Sequence, residues 1–91
     1  DHVFVFAALI VRSAVDLTVA RKIFVEKSPK GIVALIGKTR LSSSLLVMIQ
    51  QQMGRIDPSE IIELPEDDSF PMAQKEIVWQ IEFFTDMSAR A

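Results

Sequence analysis

The chain opens on its longest apolar run, nine residues reading Val3-Phe-Val-Phe-Ala-Ala-Leu-Ile-Val11. Both alternating faces of this run are apolar and rich in β-branched and aromatic side chains, the pattern of a central strand covered on both sides. Over residues 15–26 the odd positions read Val15, Leu17, Val19, Arg21, Ile23, Val25, and the even ones Asp16, Thr18, Ala20, Lys22, Phe24, Glu26. Only Arg21 and Phe24 break the period of two, so the spacing predicts a second strand. A helix is the rival, because Ser13 with Asp16 imitates a capping box. At 100° per residue, however, the charges scatter round the wheel and leave no apolar stripe. Ser28-Pro-Lys-Gly31 then suits a type I turn, with Pro second and Gly fourth. It joins residues 22–27 to the apolar segment 32–36 as a hairpin.

Residues 41–53 predict an amphipathic helix. Leu41, Leu45, Met48, Ile49 and Met53 fall on one arc, with Ser43, Ser44, Gln50 and Gln51 opposite. Thr39 or Ser42 can cap its start, and Gly54 can end it in a left-handed conformation. Residues 60–64 read as a short strand between Pro58 and Pro65, and residues 66–71 as an acidic loop. Ile77, Trp79, Ile81 and Phe83 alternate with Glu76, Val78, Gln80 and Glu82, which predicts a last strand; a helix over 72–87 is its rival. The expected fold is therefore α+β, a mostly antiparallel sheet in the order β-β-β-α-β-β with one helix packed on a face. The alternative is a mainly helical chain with a C-terminal hairpin, resembling a winged helix.

Composition sharpens this picture in three places. Ninety-one residues make one small domain near the lower limit for a self-sufficient core. The first residue is Asp1 rather than Met, as in a processed chain or a fragment of a longer one. Hydrophobic residues are 49% of the chain and the mean hydropathy is +0.29, more than so small an interior can hide. Some apolar surface is thus expected to meet a partner. No run reaches the eighteen residues of a membrane span, and the opening run has neither the basic segment nor the cleavage site of a signal peptide. The absence of cysteine rules out disulfides, thiolate nucleophiles and cysteine metal sites, and leans toward the cytoplasm. Finally, the net charge of −2 hides a split: eight basic and three acidic residues up to Ile56, two basic and nine acidic from Asp57 onward. Opposed halves of this kind serve contact within a fold, dimerisation or a charged partner.

Candidate chemistry is sparse. Gly37-Lys38-Thr39 matches the end of a phosphate-binding loop, but five residues separate it from Gly31 where the motif has four. Those five are Ile-Val-Ala-Leu-Ile, a core segment rather than a bare anion cradle. What remains is a weak anion site at a helix start, formed by Lys38, Thr39, Arg40, Ser42 and Ser43. His2 is the only histidine and sits at the terminus, with no metal set or nucleophile around it. Ser42, Ser43 and Ser44 have no neighbouring base, and Glu63, Glu66, Asp67 and Asp68 lack the ligand order of a calcium loop. A helix-turn-helix placed on residues 29–53 puts Lys38 and Ser43 at positions that helix packing normally fills with apolar residues, and a wing would carry acidic residues against phosphate.

The expected function is a non-enzymatic protein-protein interaction or assembly module, acting through self-association or a hetero-partner, with no cofactor or metal. Its contact residues are Ile77, Trp79, Ile81 and Phe83 on an edge strand. The alternatives are a nucleic-acid-binding regulatory domain using the basic region 12–55, and the non-catalytic wall of a shared enzyme active site.

Overall fold

A computed structural model describes residues 2–39 and 41–90, and none of these residues lies in a strand. The chain is built from α1 (His2–Ser13), α2 (Leu17–Val25), α3 (Pro29–Gly37), a composite helix and α5 (Gln74–Arg90). The composite helix begins as a 3-10 turn, Ser43–Leu45, passes through one α turn, α4 (Leu46–Met48), and widens into a π turn, Ile49–Met53. A further 3-10 turn, Pro58–Glu60, starts the irregular stretch that leads to α5. The expected α+β sheet is thereby overturned. So is the C-terminal hairpin of the alternative, of which only the mainly helical character fits.

The caps explain why these segments are helices. Asp16 accepts a hydrogen bond from the Thr18 amide at 2.8 Å and starts α2; Ser28 accepts one from the Gly31 amide at 2.9 Å and starts α3. Pro29 follows at the first helical position, where its fixed φ and missing N–H cost nothing. The tetrapeptide that reads as a type I turn is therefore a helix start, because that turn and the first turn of a helix share nearly the same backbone. In α2 the buried residues are Val19, Ala20 and Ile23. The helical wheel shows no stripe there because Leu17 and Val25 place apolar side chains on the exposed side beside Arg21.

The central element is α3. Every residue from Gly31 to Ile36 is buried, as expected of a helix that is apolar all round. It packs chiefly against α5, and also against α1, α2 and the π turn. Two glycines set its distance from α5. A Cβ on Gly31 would come within 2.8 Å of the Phe84 ring, and one on Gly37 within 2.7 Å of Ile77 Cδ1. The two helices therefore run antiparallel, with backbone against side chain at both glycines. Phe6 on α1 meets Phe24 on α2 edge to face at 5.5 Å, which ties the first helix to the second. Leu9, Ile23, Ile32, Leu35, Leu46, Ile49 and Phe84 belong to one continuous core cluster, and the radius of gyration of 12.1 Å equals what a folded chain of this length should have, about 12 Å.

The composite helix differs from its expected form in face rather than in place. Leu46, Ile49 and Gln50 are buried where Leu45, Met48 and Ile49 were expected to lead, and Gln50 was placed on the solvent face. The apolar run through residues 45–49 leaves the inner face undetermined until a partner chooses it. That partner is the segment around Ile62. Gln50 Nε2 donates to the Ile62 carbonyl at 2.8 Å, and Gln50 Oε1 accepts from the Ile62 amide at 2.9 Å. Of the residues expected to pair in a sheet at 60–64, Ile62 pairs instead with one side chain. Ser42 does cap the start, accepting from the Ser44 amide. Gly54 is not left-handed; it is buried with its missing Cβ 2.6 Å from Ile32 Cδ1. The left-handed residue is the next one, Arg55, with φ 53°.

Candidate functional site

Helix α5 carries the site. It runs seventeen residues, from Gln74 to Arg90, and its inner face is Ile77, Gln80 and Phe84. Residues 100° away from that face remain outside. Trp79 is 56% exposed, and Phe83 and Val78 are each 44% exposed. Trp79 and Phe83 lie one turn apart and stack, with ring centroids 5.4 Å apart and planes 13° from parallel. Phe83 also meets Phe84 edge to face at 5.2 Å, so the exposed stack is anchored to the core. The four residues expected on one face are thus divided: Trp79 and Phe83 face outward, Ile77 is buried, and Ile81 is half-buried against the core. The edge strand that was to present them does not exist.

The stack is flanked by hollows on both sides. One, of about 530 Å³, lies between Ser28–Lys30, Glu60, Ile62 and the Trp79–Phe84 side of α5. A second, of about 460 Å³, is lined by Trp79, Glu82, Phe83, Thr85 and Asp86. A smaller one reaches from Trp79 to Ala73, Lys75 and Glu76. Trp79 lines all three, so it is the ridge between them. Gln80 is buried and donates to Glu76 Oε2 at 2.7 Å, which holds one carboxylate at the edge of the ridge. Such a ridge offers large rigid rings at little entropic cost and has charged groups around it, the composition typical of a protein contact centre.

The Gly37-Lys38-Thr39 stretch ends a helix rather than beginning one. Lys38 is the exposed C-terminal cap of α3, its amide donating back to the Ala34 and Leu35 carbonyls, while the Thr39 amide donates to the Ile36 carbonyl. Thr39 Oγ1 donates to the Ile36 carbonyl at 2.6 Å and accepts from the Leu41 amide at 3.1 Å. A phosphate loop needs the positive N-terminal end of a helix; this is the negative C-terminal end. Of the weak anion set, Arg40 lies outside the described residues. Ser42 and Ser44 bond to each other at 2.8 Å, and Ser42 and Ser43 stand at the start of the composite helix. Lys38 and Thr39 follow the C-terminal end of α3, on the other side of Arg40.

Other polar features are local. Asp57 accepts from the Ser59 hydroxyl and amide, and Asp67 from those of Ser69; these bonds hold both carboxyls below the usual aspartate value. Lys27 and Arg55 share a shallow hollow with Asp57 and Glu60, which sets carboxylates beside the cations. His2 is the first residue of α1 and lies 3.3 Å from Gln52 Oε1. Among the described residues no three of His, Asp or Glu converge as metal ligands, and no helix is long and apolar enough to cross a membrane.

A second exposed apolar stripe, which the sequence reading missed by taking α1 for a strand, runs along Val3, Phe4, Ala7 and Val11. These residues recur at helical spacing, so the signal was present in the run of nine but masked by its being apolar everywhere.

Compared with known proteins, the chain matches no family model, and no curated protein or solved structure resembles it closely enough to count as a match. The class is accordingly defined by fold and surface: a small helical domain wrapped around a buried central helix, with an exposed aromatic ridge on its longest helix.

Proposed function

We propose that this chain is a protein-interaction module that docks a helix of another protein chain on the outer face of α5. The observation that carries this reading is the Trp79–Phe83 stack, half-exposed yet fixed to the core through Phe84. Rings left open to water are an unspent source of binding free energy. Large aromatic side chains bury roughly 150–250 Å² each, so the half that is exposed here amounts to about 200 Å² for the pair. At about 25 cal/mol per Å², covering it contributes about 5 kcal/mol before the cost of association. The hollows on either side of the ridge fit side chains of a helix laid across it.

The test is site-specific photocrosslinking in cells. A benzophenone side chain at Val78, beside the ridge, should give a discrete protein adduct. The same group at Glu66, in the acidic loop, should not. The Val78 adduct should disappear when Trp79→Ala and Phe83→Ala are added, while circular dichroism shows that the chain stays helical. No adduct at Val78, or equal adducts at both positions, would refute a docking role for this face.

A further inference from the structure

Resting on that docking reading, we infer that the helix received by α5 is the α5 of a second copy of this chain, laid antiparallel across it about a two-fold axis. Among the exposed positions of α5, which also include Gln74, Thr85, Ala89 and Arg90, the residues Lys75, Val78, Trp79, Glu82, Phe83 and Asp86 are spaced by threes and fours along one side of the helix. This is the spacing of a helix-pairing seam. Only the occupant remains to be chosen, and the charges choose it.

In an antiparallel pair, facing residues stand equally far from the axis on opposite sides of it. Place the axis level with the midpoint between Gln80 and Ile81. Lys75 then stands level with the partner's Asp86, since each is five and a half residues from that midpoint. By symmetry the same pair forms at the other end. Trp79 stands within one residue, about 1.5 Å along the axis, of the partner's Phe83. The aromatic ridges of the two copies therefore meet at the centre while opposite charges close both ends. Glu82 lies one turn inward from Asp86, so each Lys75 has two carboxylates of the partner within a turn.

Alternative occupants fit less well. A parallel pairing in register sets Lys75 against the partner's Lys75 and Asp86 against the partner's Asp86, which is like charge at both ends. A basic helix from another protein would match Glu82 and Asp86 but repel Lys75. Lys75 also stands in the first turn of α5, at the positive end of the helix, and an antiparallel neighbour brings a carboxylate to that end. The contact is isologous: one patch complements itself, so two copies close it.

Charge exchange tests the register. Sedimentation velocity over a range of concentrations should show the full chain in monomer–dimer equilibrium. Lys75→Asp and Asp86→Lys, each alone, should weaken the dimer about tenfold, because each sets like charges at both ends. The double variant Lys75→Asp/Asp86→Lys should return to within about threefold of the parent, since it restores both pairs with the signs reversed. Mixing the two single variants should give a heterodimer tighter than either homodimer. Both positions are exposed, and circular dichroism checks that each variant stays helical. A parent chain that remains monomeric, or single variants that weaken the dimer with no rescue in the double, would overturn the inference. A Val78 photoadduct whose mass is that of a different protein would overturn it while leaving the docking reading intact; no adduct at all would remove both.

Discussion

Phe83 and Phe84 are consecutive, yet the same truncation should cost very different amounts at each. Phe84 is 3% exposed and packs where a Cβ on Gly31 would be only 2.8 Å from its ring. Phe84→Ala therefore opens a cavity between α3 and α5 and should cost roughly 3–5 kcal/mol. At 0.05–0.15 kcal/mol per residue, a chain of this length has about 5–14 kcal/mol in total, so this one change removes a large share. Phe83 already has 44% of its surface in water. Phe83→Ala forfeits about half of a Phe transfer free energy, roughly 1 kcal/mol, plus part of two ring contacts worth about 0.5–1.5 kcal/mol each. Its cost should be about 1–2.5 kcal/mol. Urea unfolding followed by helical circular dichroism reads the difference. With a slope of about 2 kcal/mol per M, the midpoint should fall by roughly 2 M for Phe84→Ala and by about 1 M or less for Phe83→Ala. Two protein concentrations separate loss of association from loss of fold. If Phe83→Ala costs as much as Phe84→Ala, or more, the helical phase given to α5 is wrong, since a strand with Phe83 inward requires that order.

Two further measurements probe the frame. Gln50→Leu keeps the volume of a fully buried side chain but leaves the amide and carbonyl of Ile62 without their partners; it should cost about 2–4 kcal/mol and speed hydrogen exchange at the Ile62 amide, and unchanged exchange would show that Gln50 does not hold that segment. Lys27 closes α2 with φ 50°, a conformation that strains a residue with a Cβ, so Lys27→Gly should stabilise the chain by about 0.5–1 kcal/mol after the greater unfolded-state freedom of glycine is allowed for; a lower melting temperature would contradict this.

What the sequence showed of this fold depended on where its punctuation was conventional. The helix at residues 43–53 was legible because it lies between a serine cap and a glycine. The ends of α1 and α2 were not. Their left-handed residues are Ala14 and Lys27, where a glycine would have announced a helix end. Ser28-Pro29 was noticed and assigned to a turn, because a helix start and a type I turn use the same two residues for the same φ reasons. The apolar segment 32–36 is short enough for a buried strand and uniform enough for a buried helix. Nothing within it chooses; the choice comes from Phe84, Ile77 and Ile23, which close on the flanking Gly31 and Gly37 from other helices. The charge split was plain in the sequence, but which charges share a side was not, since only the phase of α5 shows Lys75, Glu82 and Asp86 on the same side as the aromatic ridge.

That Trp79 and Phe83 share a face, despite the wrong element, has a geometric cause. Residues four apart share a face in a strand, where the period is two, and nearly share one in a helix, where four residues turn 400°. Trp79 and Phe83 are four apart, and so are Ile77 and Ile81. Each pair stays together under either reading, and each does so here: Trp79 and Phe83 outside, Ile77 and Ile81 toward the core. Residues two apart behave differently. They share a face in a strand but are turned 200° from one another in a helix, so the strand reading fused two opposite sides of α5 into one. The pairing of Trp79 with Phe83 was thus independent of secondary structure, whereas their union with Ile77 and Ile81 was an assumption about it. The docking surface proposed here is correspondingly half the size expected along the chain, and it gains width from Val78, Glu82 and Asp86, which a strand would have turned to the other side.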